Sequence, residues 1–402
     1  MNLSIMHYHL MPGGVTTIIS SQVASLTSCT LVSQVTILCG GISRHFKANG
    51  ATIIENRGMN YISQYKKKEF YISLRDQLYS FIREQIGHDE IIHIHNPNVG
   101  KNPVLTSVLY RLAAEGYKLF FHCHDFAEDR PNNLTFLKKV IQDIFSENLK
   151  EVMYPNFRHC YYGVLNSFDK DRLKTIGIEQ EKIHRIPNPV SFRVHTDIHL
   201  REKTRKDVCA HFNLNPENTI FIYPVRVIRR KNIGELILLA ALFRQRTHWL
   251  VSMAPHNPVE IVYYKQWKAF VREKRLPVVF EAGKEFDFHA LMHGVDRSIT
   301  TSIKEGFGMS FLEPWLFEKP VVGRTIPYVI NDFKEEGMIF NKLYNNIMIS
   351  WKGEKKDFTE LSYDEQREYI TMILHKKRER NKMIAETNID EFILSPVSQH
   401  TI

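Results

Sequence analysis

The sequence has no C-x-x-C pair, no long uninterrupted apolar run and no internal repeat. Its five cysteines (Cys29, Cys39, Cys123, Cys160 and Cys209) are odd in number and far apart. That pattern argues against a disulfide framework or a structural zinc site, and for a reducing compartment. Spanning a bilayer takes about 18 apolar residues in a row, so no membrane-crossing helix is expected. The opening MNLSIMHYHLMPGG lacks a basic segment followed by an apolar one, so no secretory signal is expected there and the location should be cytoplasmic. Neither finger spacing nor a basic–aromatic repeat points to nucleic acid.

What is present is an ordinary globular composition, 43% hydrophobic and 24% charged. A length of 402 residues suits two domains better than one core. The 53 basic and 44 acidic residues leave a formal charge of +9. That excess favours an anionic partner: a nucleotide diphosphate, an anionic or phosphorylated acceptor, or an acidic membrane surface touched peripherally. Plain solubility is the alternative. The charge runs at 65–68 and 376–380 read as solvated faces. Oligomeric state is left open.

Short apolar runs alternate with longer amphipathic ones. Strands are expected at 3–8, 35–38, 52–54, 91–95 and 119–123, with helices at 15–26, 70–86, 103–115 and 133–149. After the Ile186-Pro187-Asn188-Pro189-Val190 stretch and a polar segment to about 206, a second series begins. It has strands at 219–223, 249–253 and 277–281 and helices at 233–243 and 259–274. Strand and helix in alternation imply parallel pairing through crossover helices, a doubly wound α/β sheet in each half. The expected domains are 1–190, 191–365 and a helical segment, 366–402, returning to the first domain.

The stretch from Thr301 to Arg324, TSIKEGFGMSFLEPWLFEKPVVGR, reads as the end of a strand, a glycine-broken turn, a brief helix and a second strand. Glycines let amide groups approach an anion closely, and a helix start favours negative charge. Carboxylates beside such a turn suit hydroxyls, as on a sugar or ribose, better than phosphate. Pro314 follows Glu313, and proline favours the first turn of a helix, so Glu313 is also readable as a residue at the helix start.

Glu305-Gly306-Phe307-Gly308, with Glu313 closing an E-x7-E pattern and Pro320-Val321-Val322 beyond, resembles the donor-site signature of the retaining glycosyltransferases of family 4. Ser302 fits that pattern too. Further resemblances follow in the family's order along most of the chain. Pro12-Gly13-Gly14-Val15 matches its first loop, His124-Asp125 its His-Asp pair, Ile186-Pro187-Asn188 its interdomain stretch, and Arg226 with Lys231 its cation pair.

The resemblance implies the GT-B fold, two Rossmann-like doubly wound domains facing a central cleft. It implies a nucleotide-diphosphate sugar as co-substrate with no other cofactor and no metal. Arg226 and Lys231 would stabilise the departing diphosphate, Glu305 would hold the sugar hydroxyls and Glu313 the ribose. His124 would help position the transferred sugar. Amides of Gly13, Gly14, Gly306, Phe307 and Gly308 would cradle the phosphates. Thr301 stands where the family often has proline. Arg324-Thr325-Ile326-Pro327-Tyr328 replaces a glycine pair, which leaves the sugar unassigned.

Rival readings remain. A solvated basic run explains Arg226 to Lys231 as simply. An epimerase or a non-catalytic nucleotide-sugar-binding protein would use the same frame. Three H-x-H pairs, His7/His9, His93/His95 and His122/His124, stand at strand ends, and alternation puts both members of a pair on one face. Such clusters bind zinc in metal-dependent hydrolases. The HNPNVGKNP stretch, His95 to Pro103, is expected to shape the acceptor side.

Overall fold

The computed structural model describes residues 1–190 and 198–395. Contacts divide the chain between Ser191 and Phe192 into two units.

The first unit runs β1 (Asn2–His7), α1 (Gly14–Thr27), β2 (Gln34–Cys39), β3 (Thr52–Glu55), α2 (Lys68–Gln85), β4 (Ile91–His95), α3 (Pro103–Ala114), β5 (Lys118–Cys123), α4 (Pro131–Lys138), α5 (Leu149–Met153), β6 (Cys160–Val164), α6 (Ser167–Ile176) and β7 (Ile183–Arg185). Its seven strands pair in parallel in the order β3-β2-β1-β4-β5-β6-β7. Both faces are covered, as a parallel sheet requires. Met6, Ile92, Ile94, Leu119 and Phe121 pack into the core that α2 and α3 close. Leu3, Ile5, Val35 and Ile37 meet Ile19 and Val23 of α1 on the other face.

The single helix expected over 133–149 is broken. A wide π turn occupies Lys139–Ile144, Ser146 adopts φ 58°, and Asn148 caps α5 by accepting from Lys150 and Glu151 amides. The elements from α5 to β7 carry little periodicity and were not anticipated.

The second unit runs α7 (Ile198–Phe212), β8 (Thr219–Arg226), α8 (Ile233–Leu242), β9 (Thr247–Met253), α9 (Pro258–Glu273), β10 (Val278–Phe280), α10 (Phe288–Gly294), β11 (Arg297–Thr300), α11 (Met309–Leu316), β12 (Val321–Arg324), α12 (Pro327–Glu335) and β13 (Leu343–Tyr344). A hairpin of β14 (Met348–Trp351) and β15 (Glu354–Asp357) follows, then α13 (Tyr363–His375), α14 (Lys377–Thr387) and α15 (Ile389–Ile393). The order β10-β9-β8-β11-β12-β13 repeats the doubly wound plan. Helix α8, IGELILLAAL, is buried on every side, as a perimeter apolar but for Glu235 favours.

The C-terminal helices belong to this second unit by their contacts, where the sequence suggested a return to the first. Gln366 packs so tightly on α8 that a Cβ on Gly234 would lie 2.1 Å from its Oε1. Met383, Ile389 and Ile393 complete the same core, and Arg297 donates to the carbonyls of Ile393 and Ser395. Residues 396–402 of that expected segment, and 191–197 of the expected linker, lie outside the described residues. No helix among the described residues is long and apolar enough to cross a membrane.

Candidate functional site

In an open parallel sheet, ligands bind beyond the carboxyl ends of the strands, where the strand order reverses. In the second unit that point lies between β8 and β11. Lys231 lies shortly after β8 and Glu305 shortly after β11, and the two meet there. Lys231 Nζ donates to Glu305 Oε1 in a short ion pair, and Arg230 Nη1 reaches Glu305 Oε2 at 3.0 Å. Glu305 is 8% exposed, so this carboxylate is held by two cations largely out of water. Burial pulls the Lys231 ammonium below its ordinary range, against the opposing pull of Glu305.

The loops that bring them together are tied directly. Tyr223 Oη, in β8, bonds the Lys231 carbonyl at 3.0 Å and Ser302 Oγ at 2.7 Å. Thr301 Oγ1 donates to the carbonyls of Lys231 and Asn232. The Ile303 amide donates to the Arg230 carbonyl at 2.9 Å. Tyr328 Oη accepts from the Glu305 amide at 3.0 Å and donates to the Glu305 carbonyl at 2.8 Å. Sequence reasoning found Glu305 and Lys231 but missed Tyr223, Arg230 and Tyr328.

Arg226 is the last residue of β8 and exposed, not part of the following loop. The strand was expected to end near Tyr223; it continues because a shift of register between Tyr223 and Arg226 accommodates Pro224 without ending the pairing with β9. Arg230, not Arg226, joins Lys231 on Glu305.

Glu313 also departs from expectation. Helix α11 starts at Met309, so Glu313 lies inside it and not at its first position, and Pro314 is internal. Burial raises the Glu313 carboxyl to about 7, while Lys231 opposes the rise. Glu313 is thus within electrostatic reach of the cation that grips Glu305. Gly308 precedes the helix with φ 89°, and a Cβ there would lie 2.3 Å from Val329 Cγ1. Phe307 is buried against Phe333 at 5.4 Å, and Gly306 stands beside it in the bend.

Behind Lys231, a buried clamp fixes the start of α8. Arg324 holds Glu235 through Nε at 2.9 Å and Nη2 at 2.6 Å, and holds Asp357 at 2.7 and 2.9 Å. Tyr344 Oη and Asn232 Nδ2 complete the Glu235 shell.

In the first unit the reversal lies between β1 and β4. Gly13 and Gly14 follow β1 and open α1, which has no side-chain cap, so its first amides are not taken up by its own N-cap side chain. His124 follows β5. It is buried, its Nε2 lies 2.8 Å from His95 Nδ1, and its amide donates to Asn96 Oδ1 at 2.8 Å.

Alternation does place the histidines on one face. His93 Nε2 and His122 Nδ1 share a hydrogen bond of 3.1 Å, and His7 Nδ1 donates to the His95 carbonyl. Burial above all holds His93 down to about 3, and His7 and His122 to about 4. Nitrogens of His93, His95 and His122 lie within 4.8 Å of one another. The His93 and His95 rings, however, stack at 4.5 Å with 15° between planes, and those of His122 and His124 at 4.1 Å with 28°. An ion must lie near the plane of each imidazole that binds it. Parallel rings therefore cannot converge on one ion until they turn.

No family model matches the chain. Over 378 residues it is 29% identical to the mannosylglucosyl-3-phosphoglycerate synthase of Petrotoga mobilis, covering 91% of this chain and 72% of that protein. It is 28% identical over 248 residues to the putative glycosyltransferase EpsD of Bacillus subtilis, 58% of each chain. The crystal structure of Anabaena HepE in complex with UDP and glucose superposes with a TM-score of 0.58 at 15% identity, over 96% of this chain and 93% of that one. The chain is a glycosyltransferase with the GT-B fold. The doubly wound pair of units is what this GT-B chain shares with the expectations from its sequence.

Proposed function

We propose that this enzyme is a retaining glycosyltransferase that moves a sugar from a nucleotide-diphosphate sugar to the hydroxyl of an anionic acceptor. The observation that carries the reading is Glu305 gripped by Lys231 and Arg230 at the point of strand reversal, with Glu313 in reach of the same lysine. Without donor, the cations and the carboxylate satisfy one another. With donor, Lys231 and Arg230 turn to the diphosphate, joined by Arg226 from the end of β8. Glu305 then accepts hydrogen bonds from the sugar hydroxyls and Glu313 from the ribose. Amides around Gly306 to Gly308, and those of Gly13 and Gly14, add donors for phosphate oxygens.

The bond between the sugar's anomeric carbon and the diphosphate oxygen breaks as the acceptor oxygen attacks from the same face. The acceptor proton passes to the departing diphosphate. Negative charge grows on that group during the step, and fixed cations lower the barrier most where charge develops. His124, neutral and bonded to His95, orients the transferred sugar rather than exchanging protons.

Five free thiols, four of them buried, suit a reducing compartment, and we place the enzyme in the cytosol. The phosphoglycerate in the name of the Petrotoga relative supports an acceptor bearing negative charge.

Labelled UDP-, GDP- and ADP-sugars, supplied with an acceptor pool, test the reading. A donor that binds should raise thermal stability, by about 2.7 kcal/mol at 100 times its Kd. Transfer should keep the donor's anomeric configuration, and Glu305→Ala should abolish it. Binding without transfer by the parent chain would favour a non-catalytic binder, and an inverted product would overturn retention.

A further inference from the structure

Four hydrogen-bond donors gather where the first unit's strand order reverses. His9 follows β1, Tyr61 follows β3, Lys101 follows β4 and Arg130 follows β5. Their segments are locked to one another by the backbone. The Ile62 amide donates to the Lys101 carbonyl at 2.9 Å. Asn102 Nδ2 donates to the carbonyls of Gly58 and Asn60, both at 2.8 Å. Tyr8 Oη holds the Asn96 carbonyl at 2.9 Å, and Asn96 Oδ1 accepts from the His124 and Asp125 amides.

This frame sets the His9 ring 4.6 Å from the Tyr61 ring, and Lys101 Nζ 5.5 Å from the centre of Tyr61. Arg130 and Asp125 lie within electrostatic reach of both Tyr61 and Lys101.

The donors outnumber the acceptors. The Met11 amide donates to His9 Nδ1 at 3.3 Å. Tyr61 Oη and Lys101 Nζ have no hydrogen-bonding or ion-pair partner among the described residues. Asp125 binds Arg130 at 2.8 Å and, among the described residues, is the carboxylate whose charge reaches both Tyr61 and Lys101. The neighbouring Glu128 and Asp129 are taken up by Arg172. Among the described residues, two cations and two neutral donors thus gather around the Asp125 carboxylate. Burial first, and Arg130 second, pull the Lys101 ammonium below its ordinary range, so this lysine is held near another cation at a cost that an anion would relieve.

We infer that Lys101 and Arg130, with Tyr61 and His9, form the subsite that reads a phosphate monoester on the acceptor, an inference that rests on the glycosyltransferase reading above. A dianionic phosphate offers three acceptor oxygens to these donors, and charge-assisted bonds to it are the strong ones. Residues of the subsite are specificity-determining and take no part in bond breaking.

Calorimetry on the full chain tests this with 3-phosphoglycerate, glycerate and inorganic phosphate as probes. The parent protein should bind 3-phosphoglycerate at least about tenfold more tightly than glycerate or phosphate alone, since hydrogen bonds to a charged group are the strong ones. Lys101→Gln and Arg130→Gln should each erase about tenfold of that preference and leave glycerate binding unchanged. Tyr61→Phe, which removes only an unpartnered hydroxyl, is the control should the Lys101 variant fail to fold, and should weaken 3-phosphoglycerate alone. Equal binding of 3-phosphoglycerate and glycerate by the parent, or full retention of preference in the folded variants, would overturn the subsite. Nucleotide diphosphate binding, followed by thermal shift in the same preparations and lost in Lys231→Gln, separates this failure from failure of the enzyme reading. Nucleotide bound without phosphate preference sinks the subsite alone; no nucleotide bound sinks both.

Discussion

Lys231 and Arg230 each take one carboxylate oxygen of Glu305, so the acid is clasped from two sides by residues adjacent in sequence. The clasp makes the first prediction direct. Glu305→Gln keeps size and removes charge. It should lower kcat by about 10²–10³-fold, the range for losing one fixed electrostatic contact in a transition state. Donor turnover measured beside a thermal melt checks it; unchanged kcat in a folded variant would refute the assigned role.

Glu313 should impose a pH dependence on donor affinity. With its carboxyl raised to about 7, it is protonated below that pH and a full hydrogen-bond acceptor above it. If it binds ribose hydroxyls as an anion, nucleotide Kd should fall roughly tenfold from pH 6 to pH 8 by proton linkage. Glu313→Gln should flatten the profile, and titrations at the two pH values decide.

The Arg324 clamp should carry stability rather than chemistry. Glu235 is fully buried and Arg324 nearly so. Removing one partner leaves the other charge buried and unpaired, at a cost of about 3–5 kcal/mol. Arg324→Met and Glu235→Gln should therefore lower Tm by roughly 10 °C in a domain of this size. Glu305→Gln should not match that loss. A melt within about a degree of the parent would contradict the clamp.

The stacked histidines predict acid sensitivity of the first unit. Unfolded, they take up protons below about 6.5. Folded, His7 and His122 resist until about 4 and His93 until about 3, with His95 and His124 held well below the usual value. Between those limits the unfolded chain binds more protons, so stability falls as pH falls. Asp169, raised to about 6, and Glu313 act in the opposite sense but are outnumbered. The urea midpoint should drop steadily from pH 7 to pH 5, above the range of ordinary carboxylates. A flat midpoint would show that the rings are solvated.

Much of this was legible in the sequence, for reasons that particular residues show. Strands such as Ile91–His95 are short apolar runs between punctuated loops, and parallel pairing follows from their alternation with helices. Glu305 and Lys231 were found because the motifs that hold them resemble those of the family. Arg230 was hidden inside a basic run, where its neighbour Arg229 looks identical on paper. Tyr328 and Arg324 stood in a stretch that departs from the family pattern. Their partners, the Glu305 backbone and Glu235, are 23 and 89 residues away, and no local pattern reports a bond of that span. Glu313 was misplaced because proline usually marks a helix start, whereas here it sits within the helix.

The carbonyl of Lys101 holds the amide of Ile62 while its ammonium, over the Tyr61 ring, has no hydrogen-bond acceptor among the described residues. Main chain and side chain thus have separate employment at this position. The loop keeps its shape through groups every amino acid but proline shares, and the recognition lies in atoms that substitution alone can alter. A lineage built on this frame can change its clientele one side chain at a time, with no loop rebuilt and no fold put at risk.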